Sequence, residues 1–452
     1  MPPDWGMPFA LLPSPPRTRR VLTLSLPIIG GMTSQNVLNL VDTWMVGALG
    51  PAALAGVGFS SFLNFMAVAA ITGLAAAVQA TAARRYGEGK LEETAVPLNG
   101  GLILALLLGV PLSVLLIWSA PHFYGLLMDD PAVVREGTDY LQWRLVAVAA
   151  IGMNFSFRGY WSAVDMTRLY MYTLLWMHAL NIAISYVLIF GKLGFPALGT
   201  AGAGIGTSAS ILIGTATYFG LAMRHARGAG FLKLWPTREQ FLRLIRLGLP
   251  NSVQQLLFAS GFAMLFWIIG QIGTQELAVA NVLVNITLLA VLPGIGFGIG
   301  AASLTGQALG RADPLDAHLW PWDVYRVASV GFLLIGAPML LCTELVLDVF
   351  LRDPALVALG YLPLLLIGAG VLVDGLGLIM MHALLGAGAS GLVMRWGIGL
   401  QWLLFLPLAY LLGPVWGLGL TSVWLAMVGY RGLQALIFVH AWQARNWVHI
   451  KV

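Results

Sequence analysis

Two carboxylates in this chain stand where carboxylates are rare. Asp42, in "LNLVDTWMVG", lies in the last third of a long apolar segment. Asp374, in "GAGVLVDGLGLIMMHALLGAGAS", lies inside another, with no basic residue within two turns. An Asp at the centre of a membrane helix costs on the order of 3 kcal/mol on insertion scales, and such residues usually line a water-filled path. The chemistry available to them is reversible proton or cation binding. No HExxH, Walker A, GxSxG or His/Cys cluster of metal spacing accompanies them. We therefore expect a non-enzyme with no cofactor, in which H+ or Na+ serves only as a coupling ion.

At 100° per residue, Gln35, Asn39 and Asp42 share one narrow face of the first helix. Pro27 sits below them and removes a backbone hydrogen bond, so it is the expected hinge. His178, Asn181 and Ser185 form a weaker polar face on the fifth helix, and the second offers Ser60, Ser61 and Asn64. Packed together these faces would make a polar pocket inside the N-terminal half. A single Asn or Ser in a membrane is ordinarily an interhelical hydrogen-bonding group; a carboxylate is costlier to keep. Around Asp374 the candidate neighbours are Gln254 and Gln255 of the seventh helix and Asn281 and Asn285 of the eighth. His382 is read as structural. Arg144 and Arg431 fall within spans, where snorkelling or a partner acid is expected.

The elements that must position these groups are membrane helices. Of 452 residues 59% are hydrophobic and 10% charged, against about 25% charged in soluble proteins, and mean hydropathy is +0.84. Apolar runs long enough for a ~30 Å hydrocarbon core give twelve helices, near 20–48, 52–82, 95–120, 137–160, 168–191, 200–223, 243–271, 276–308, 323–348, 355–385, 392–412 and 416–441. Most Lys and Arg fall in the N-terminal tail, the even-numbered connections (Arg158 is counted there) and the C-terminal tail. By the positive-inside rule both termini are cytoplasmic. The net charge of +5 is thus topological, and nucleic acid is excluded as a partner. The single Cys342 excludes an intramolecular disulfide.

The chain also repeats itself. Shifted by 223 residues, "RVLTLSLP" (Arg20–Pro27) falls on "RLIRLGLP" (Arg243–Pro250), Trp44 on Trp267, Gly73 on Gly296 and Gly87 on Gly310. Six helices per repeat is an even number, so both halves insert in one orientation, related by an axis along the membrane normal with a cavity expected between them. The fold class is an all-α membrane protein of two six-helix bundles. Its parts are a cytoplasmic tail 1–19, an N-terminal bundle 20–223, a linker 224–242, a C-terminal bundle 243–441 and a tail 442–452.

"LSLPIIGGMTSQNVLNLVDTWMVGALGPAALAGVG" resembles the first-helix signature of the multidrug and toxic compound extrusion (MATE) family. "RRYGEGK" (Arg84–Lys90) and "QALGRAD" (Gln307–Asp313) resemble its repeated Q/R-x-x-G loops. "FRGYWSAVDMTR" and "HALLGAGAS" are similar to its "LRGxGDTR" segments, and "LNIAISYVLIFG" to its fifth-helix "LNIxLDPxLIFG". The likeness spans roughly residues 18–440. It implies a multi-pass antiporter of the bacterial inner membrane that expels organic cations or drugs against H+ or Na+. On its pattern Asp42 matches the first-helix acid, Asn181 the fifth-helix Asn, Tyr140 the fourth-helix Tyr, and Asp374 the C-lobe acid of the norfloxacin-efflux branch. Two positions depart from it. Ser185 stands where many members of the DNA-damage-inducible branch have Asp, and Phe258 where the norfloxacin branch has Glu.

A Na+ site needs several hard oxygen ligands, so losing a carboxylate from each half favours H+. The expected cycle has Asp42 take up a proton from outside, rearrange the first helix above Pro27 and weaken substrate binding. Its partners are small organic cations or drugs and the lipid bilayer, and a monomer is expected. The rival reading is a lipid or lipid-linked saccharide flippase of the same superfamily. Such a protein would be expected to line its cavity with several Arg or Lys, and this chain has few intramembrane cations, which favours cationic or amphipathic substrates.

Overall fold

The computed structural model describes residues 13–128 and 130–450. Among them there is no strand. The N-terminal half comprises α1 (Pro15–Gly47), α2 (Pro51–Ala69), α3 (Gly73–Gly87), α4 (Val96–Leu127), α5 (Pro131–Leu145), α6 (Val148–Ala163), α7 (Thr167–Phe190) and α8 (Gly199–His225). The C-terminal half comprises α9 (Arg238–Ile272), α10 (Thr274–Gly310), α11 (Pro314–Leu341), α12 (Thr343–Asp348), α13 (Pro354–Gly386), α14 (Ser390–Ile398), α15 (Leu406–Tyr410) and α16 (Gly419–Gln443). Helices α2 and α3 are one traverse bent at 70–72, where the Thr72 hydroxyl donates to Ala69 O (2.9 Å) and competes with the helical ladder. Helices α14 and α15 belong to another traverse, loosened by π turns at Gly399–Phe405 and Leu411–Val415.

Among the described residues, eleven helical segments are long and apolar enough to cross a membrane. The remaining traverse, 131–163, carries Arg135, Glu136, Asp139, Arg144 and Arg158, too many charges for hydropathy alone to mark it. It begins six residues earlier than its apolar stretch suggests.

The repeat is visible in the packing. In the N-terminal half α1 lies on α7, α3 on α6, α4 on α6 and α5 on α8. The equivalent pairs, α9 on α14, α10 on α13, α11 on α13 and α13 on α16, recur in the other half.

The halves meet mainly through α3, which packs on α9 and α10, and through α1, which packs on α10. This interface lies toward the end of the bundle where α1 begins and α16 finishes, the basal end. From Gly296 to Leu309 every residue of α10 is buried, the pattern of a helix enclosed on all sides. Small residues permit the approach. A Cβ on Gly87 would strike Gln307 O, and one on Gly310 would strike Arg84 O. Arg84 and Gln307 are equivalent under the 223-residue shift, so this is one contact made twice. It gives the Q/R-x-x-G loops a structural purpose. Gln79 adds bonds from Nε2 to Ile299 O (2.7 Å) and Ser303 Oγ (2.8 Å).

Charged groups finish the seal. Arg17 on α1 pairs with Asp316 (2.6 Å) and Asp323 (2.5 Å) of α11 and stacks 3.7 Å over the Trp320 ring. Arg20 donates to Gln307 Oε1 (2.6 Å), while Gln307 Nε2 donates to Ala163 O (2.9 Å) and Asp165 Oδ1 (2.8 Å). Part of the expected N-terminal tail is thus helix, since α1 starts at Pro15 and its first turns clamp the other half. Residues 1–12 lie outside the described residues. The expected C-terminal tail folds back as well, Trp447 stacking on Trp442 with ring centroids 4.0 Å apart.

Candidate functional site

Helices α1, α2, α5, α6, α7 and α8 surround a cavity of about 890 Å³, to which the C-terminal half contributes Leu292 of α10. That volume suits a drug-sized ligand. Gln35, Asn39, Asp42, Asn64, Tyr140 and Asn181 all line it. The cavity lies inside the N-terminal half rather than midway between the halves. The repeat register explains why: the polar face Gln35, Asn39, Asp42 corresponds to Phe258, Phe262 and Leu265. In the C-terminal half the first two rings stack edge-on at 5.1 Å and Leu265 is buried in the core.

The wall is tied together by side chains. His178 of α7 bridges two residues of α1, with Nδ1 3.0 Å from Ser34 Oγ and Nε2 3.1 Å from Gln35 Oε1. Gln35 Nε2 donates to Asn39 Oδ1 (3.1 Å). Ser185 lies behind the wall, packed at Gly206, and donates to Asn181 Oδ1 (3.2 Å). This leaves Asn181 Nδ2 without a partner, and Asn64 Oδ1 is likewise unpaired, though the residues are only 1% and 5% exposed. Buried polar atoms are nearly always hydrogen-bonded. Both residues line the cavity, Asn64 from α2 and Asn181 from α7, with these two atoms covered inside its wall.

Asp42 is the cavity's carboxylate, and among the described residues no hydrogen bond or ion pair engages it. Arg144 of α5 faces the same space and interacts electrostatically with Asp42. Its guanidinium carbon lies 5.9 Å from the Tyr140 ring centroid, and its Nε has no hydrogen-bond partner.

Pro27 lies inside α1, which continues through it. A proline at 27 leaves the carbonyl of residue 23 without its helical donor, and the Thr167 hydroxyl of α7 supplies one (3.3 Å to Thr23 O). Thr167→Val should lower stability by about 0.5–1.5 kcal/mol, the net worth of one hydrogen bond, while Thr167→Ser should not. Thermal unfolding of the detergent-solubilised protein checks this.

The residues expected around Asp374 do not reach this cavity. Asp374 pairs instead with Arg431 of α16 (Oδ1 to Nε, 3.2 Å), the partner acid anticipated for that arginine. Gln255, Asn281 and Asn285 lie on the surface of the chain, with Asn285 Nδ2 donating to Asn281 O (2.8 Å). Both side chains are half-buried, and removing one strands the other charge between the helices at a cost of up to about 3 kcal/mol. Arg431→Leu should therefore destabilise strongly, and Arg431→Leu with Asp374→Leu should recover most of the loss. Chemical denaturation of the three proteins measures it.

Sequence reasoning missed the floor of the cavity. Arg158, counted among basic residues of a connection, lies in α6 and lines the cavity, as do Asn154 and Asn36. Among the described residues, the intramembrane cations facing this space are therefore two, Arg144 and Arg158. A signal for them existed: Ile151, Asn154, Phe155 and Arg158 stand at i, i+3, i+4 and i+7, one helical face, and all line the cavity.

Two repeated helical bundles of membrane-spanning length, sealed together at one end, with a cavity inside one of them, make up a transporter architecture. The MatE family model matches residues 27–187 and 250–411, its two matches starting at Pro27 and Pro250 in the register of the repeat, and the chain belongs to this family. Curated relatives include the probable multidrug resistance protein NorM of Brucella suis biovar 1 (strain 1330), 28% identical over 451 residues, covering 95% of this chain and 93% of that one. The multidrug resistance protein PmpM of Pseudomonas aeruginosa PAO1 is 26% identical over 420 residues, covering 92% and 87%. A solved structure described as the outward-facing conformation of a multidrug resistance MATE family transporter of the MOP superfamily superposes with a TM-score of 0.87 at 22% identity, over 96% of this chain and 97% of the other. The family is the one the sequence motifs indicated, and the twelve-helix fold agrees.

Proposed function

We propose that the chain is a secondary active exporter of organic cations and amphipathic drugs, exchanging them for H+ by alternating access. The observation that carries this reading is Asp42, an unpaired carboxylate on the wall of a drug-sized cavity in a family whose relatives are named multidrug resistance proteins. The basal end faces the cytoplasm of a bacterial inner membrane, as the Lys and Arg distribution indicates. With its basal end sealed, the cavity then communicates with the outside. A proton arriving from there neutralises Asp42 and removes the counter-charge of a bound cation. That Coulomb attraction is about 4 kcal/mol at 4 Å and an effective dielectric constant of 20, or about three orders of magnitude in affinity. The freed cation leaves, the halves rock, and the proton departs to the cytoplasm as the cavity reopens there. Asp374, held by Arg431, serves in this scheme to brace α13 against α16.

The test is efflux of a fluorescent organic cation from proteoliposomes with pH and Na+ gradients imposed separately. Efflux driven by the pH gradient and indifferent to Na+ is expected. Movement driven by Na+ alone would replace the coupling ion, and no gradient-driven movement of cationic or zwitterionic dyes would end the transport reading.

A further inference from the structure

The cavity's lining holds more positive than negative charge. It carries two guanidiniums, Arg144 and Arg158, and one carboxylate, Asp42. Arg144 has Asp42 near it. Arg158 has no such neighbour: among the described residues no ion pair includes it. Fourteen residues separate the two arginines along the traverse, a rise of roughly 20 Å, so Asp42 cannot act as counterion to both. Arg158 lies against the Phe155 ring (4.7 Å) and reaches Tyr170. Tyr218 of α8 and His382 of α13 are its other near groups with titratable side chains, and none is an anion at neutral pH.

A guanidinium held in a membrane interior without an anion is costly, and arginines within spans otherwise pair with acids or carbonyls. Here the open side of Arg158 is the cavity itself. We propose that Arg158 is an anion subsite, and that ligands of this cavity are amphiphiles carrying a carboxylate. The carboxylate docks at the basal floor, against the planar guanidinium fork suited to bidentate contact. The apolar body lies along Leu174, Met177 and Ile211. A basic group, where the ligand has one, extends toward Asp42. The inference rests on the transport reading above and adds to it a preference, among the amphipathic substrates, for carboxylate-bearing, chiefly zwitterionic, compounds.

A matched pair of dyes tests it, rhodamine 110, which bears a free carboxylate, and rhodamine 123, its methyl ester. Binding to the purified full-length protein is followed by fluorescence polarisation, and export in proteoliposomes under a pH gradient. Wild type is expected to prefer the acid by about tenfold or more, the range for a hydrogen bond to a charged group. Arg158→Gln should collapse that ratio, and Arg158→Lys, which keeps the charge and loses the fork, should retain part of it. Size-exclusion profiles identify a variant that fails to fold, and the Lys variant then carries the comparison. Equal wild-type affinity for both dyes, a preference for the ester, or a ratio untouched in both variants overturns the anion subsite. An acid preference in binding without export of either dye upholds the subsite and overturns the transport reading instead.

Discussion

Asp42→Asn is expected to abolish export driven by a pH gradient, with initial rates in proteoliposomes falling at least about a hundredfold toward the leak. The amide keeps the shape and hydrogen-bonding capacity of the side chain and removes both charge and proton. Export loses its coupling because the carboxylate that could alternate between a charged and a neutral state is gone: the other polar lining groups on α1, Gln35, Asn36, Asn39 and Thr43, carry no ionisable group, and the His178 ring is engaged by Ser34 and Gln35. Affinity for a cationic dye should fall by up to about three orders of magnitude, the limit set by the Coulomb estimate at an effective dielectric constant of 20. Asp42→Glu retains the charge and should preserve part of the rate. Wild-type export by Asp42→Asn under a pH gradient would remove the coupling role from this residue.

Gly310→Val should block the cycle from the opposite end. In the basally sealed state the glycine meets the backbone carbonyl of Arg84, and no rotamer of an added side chain can move a backbone oxygen. Overpacking of this kind costs about 3 kcal/mol, which would shift the balance between sealed and open states by roughly a hundredfold. Gly87→Val should act alike, because it faces Gln307 O in the equivalent contact. A cysteine at buried Ser25, which faces Gly300 of α10, reports the shift in a Cys342→Ser background. It should resist a hydrophilic maleimide in the parent and react with it in Gly310→Val, and export should fall in parallel. Continued protection with normal export would show that the tight crossing is dispensable.

Much of the architecture was legible because membrane insertion writes itself into sequence. A ~30 Å apolar layer demands long apolar runs, and an even number of helices per repeat fixes the relation of the halves. The traverse at 131–163 was harder, since its charges interrupt the apolar run; Arg144 and Arg158 are sheltered by a cavity that hydropathy does not see. For the same reason hydropathy places Arg158 in a connection. The asymmetry between the halves was also written in the chain, in Phe258, Phe262 and Leu265 standing opposite Gln35, Asn39 and Asp42, but its consequence needed the packed core to become visible.

The sequence by itself determined the all-helical membrane class, the duplicated plan, the family, and the polar face of α1 with Asp42 upon it, because each follows from local composition or helical periodicity. Only the tertiary structure decided which acid stands free and which is bound. Asp42 and Asp374 are alike in apolar context, yet one faces a cavity and the other pairs with Arg431, a residue 57 positions away in the chain on a different helix. It also decided where the halves close, through Gly87 against Gln307 and Gly310 against Arg84. Contacts of that kind depend on how whole helices cross, and no spacing within a single helix encodes them.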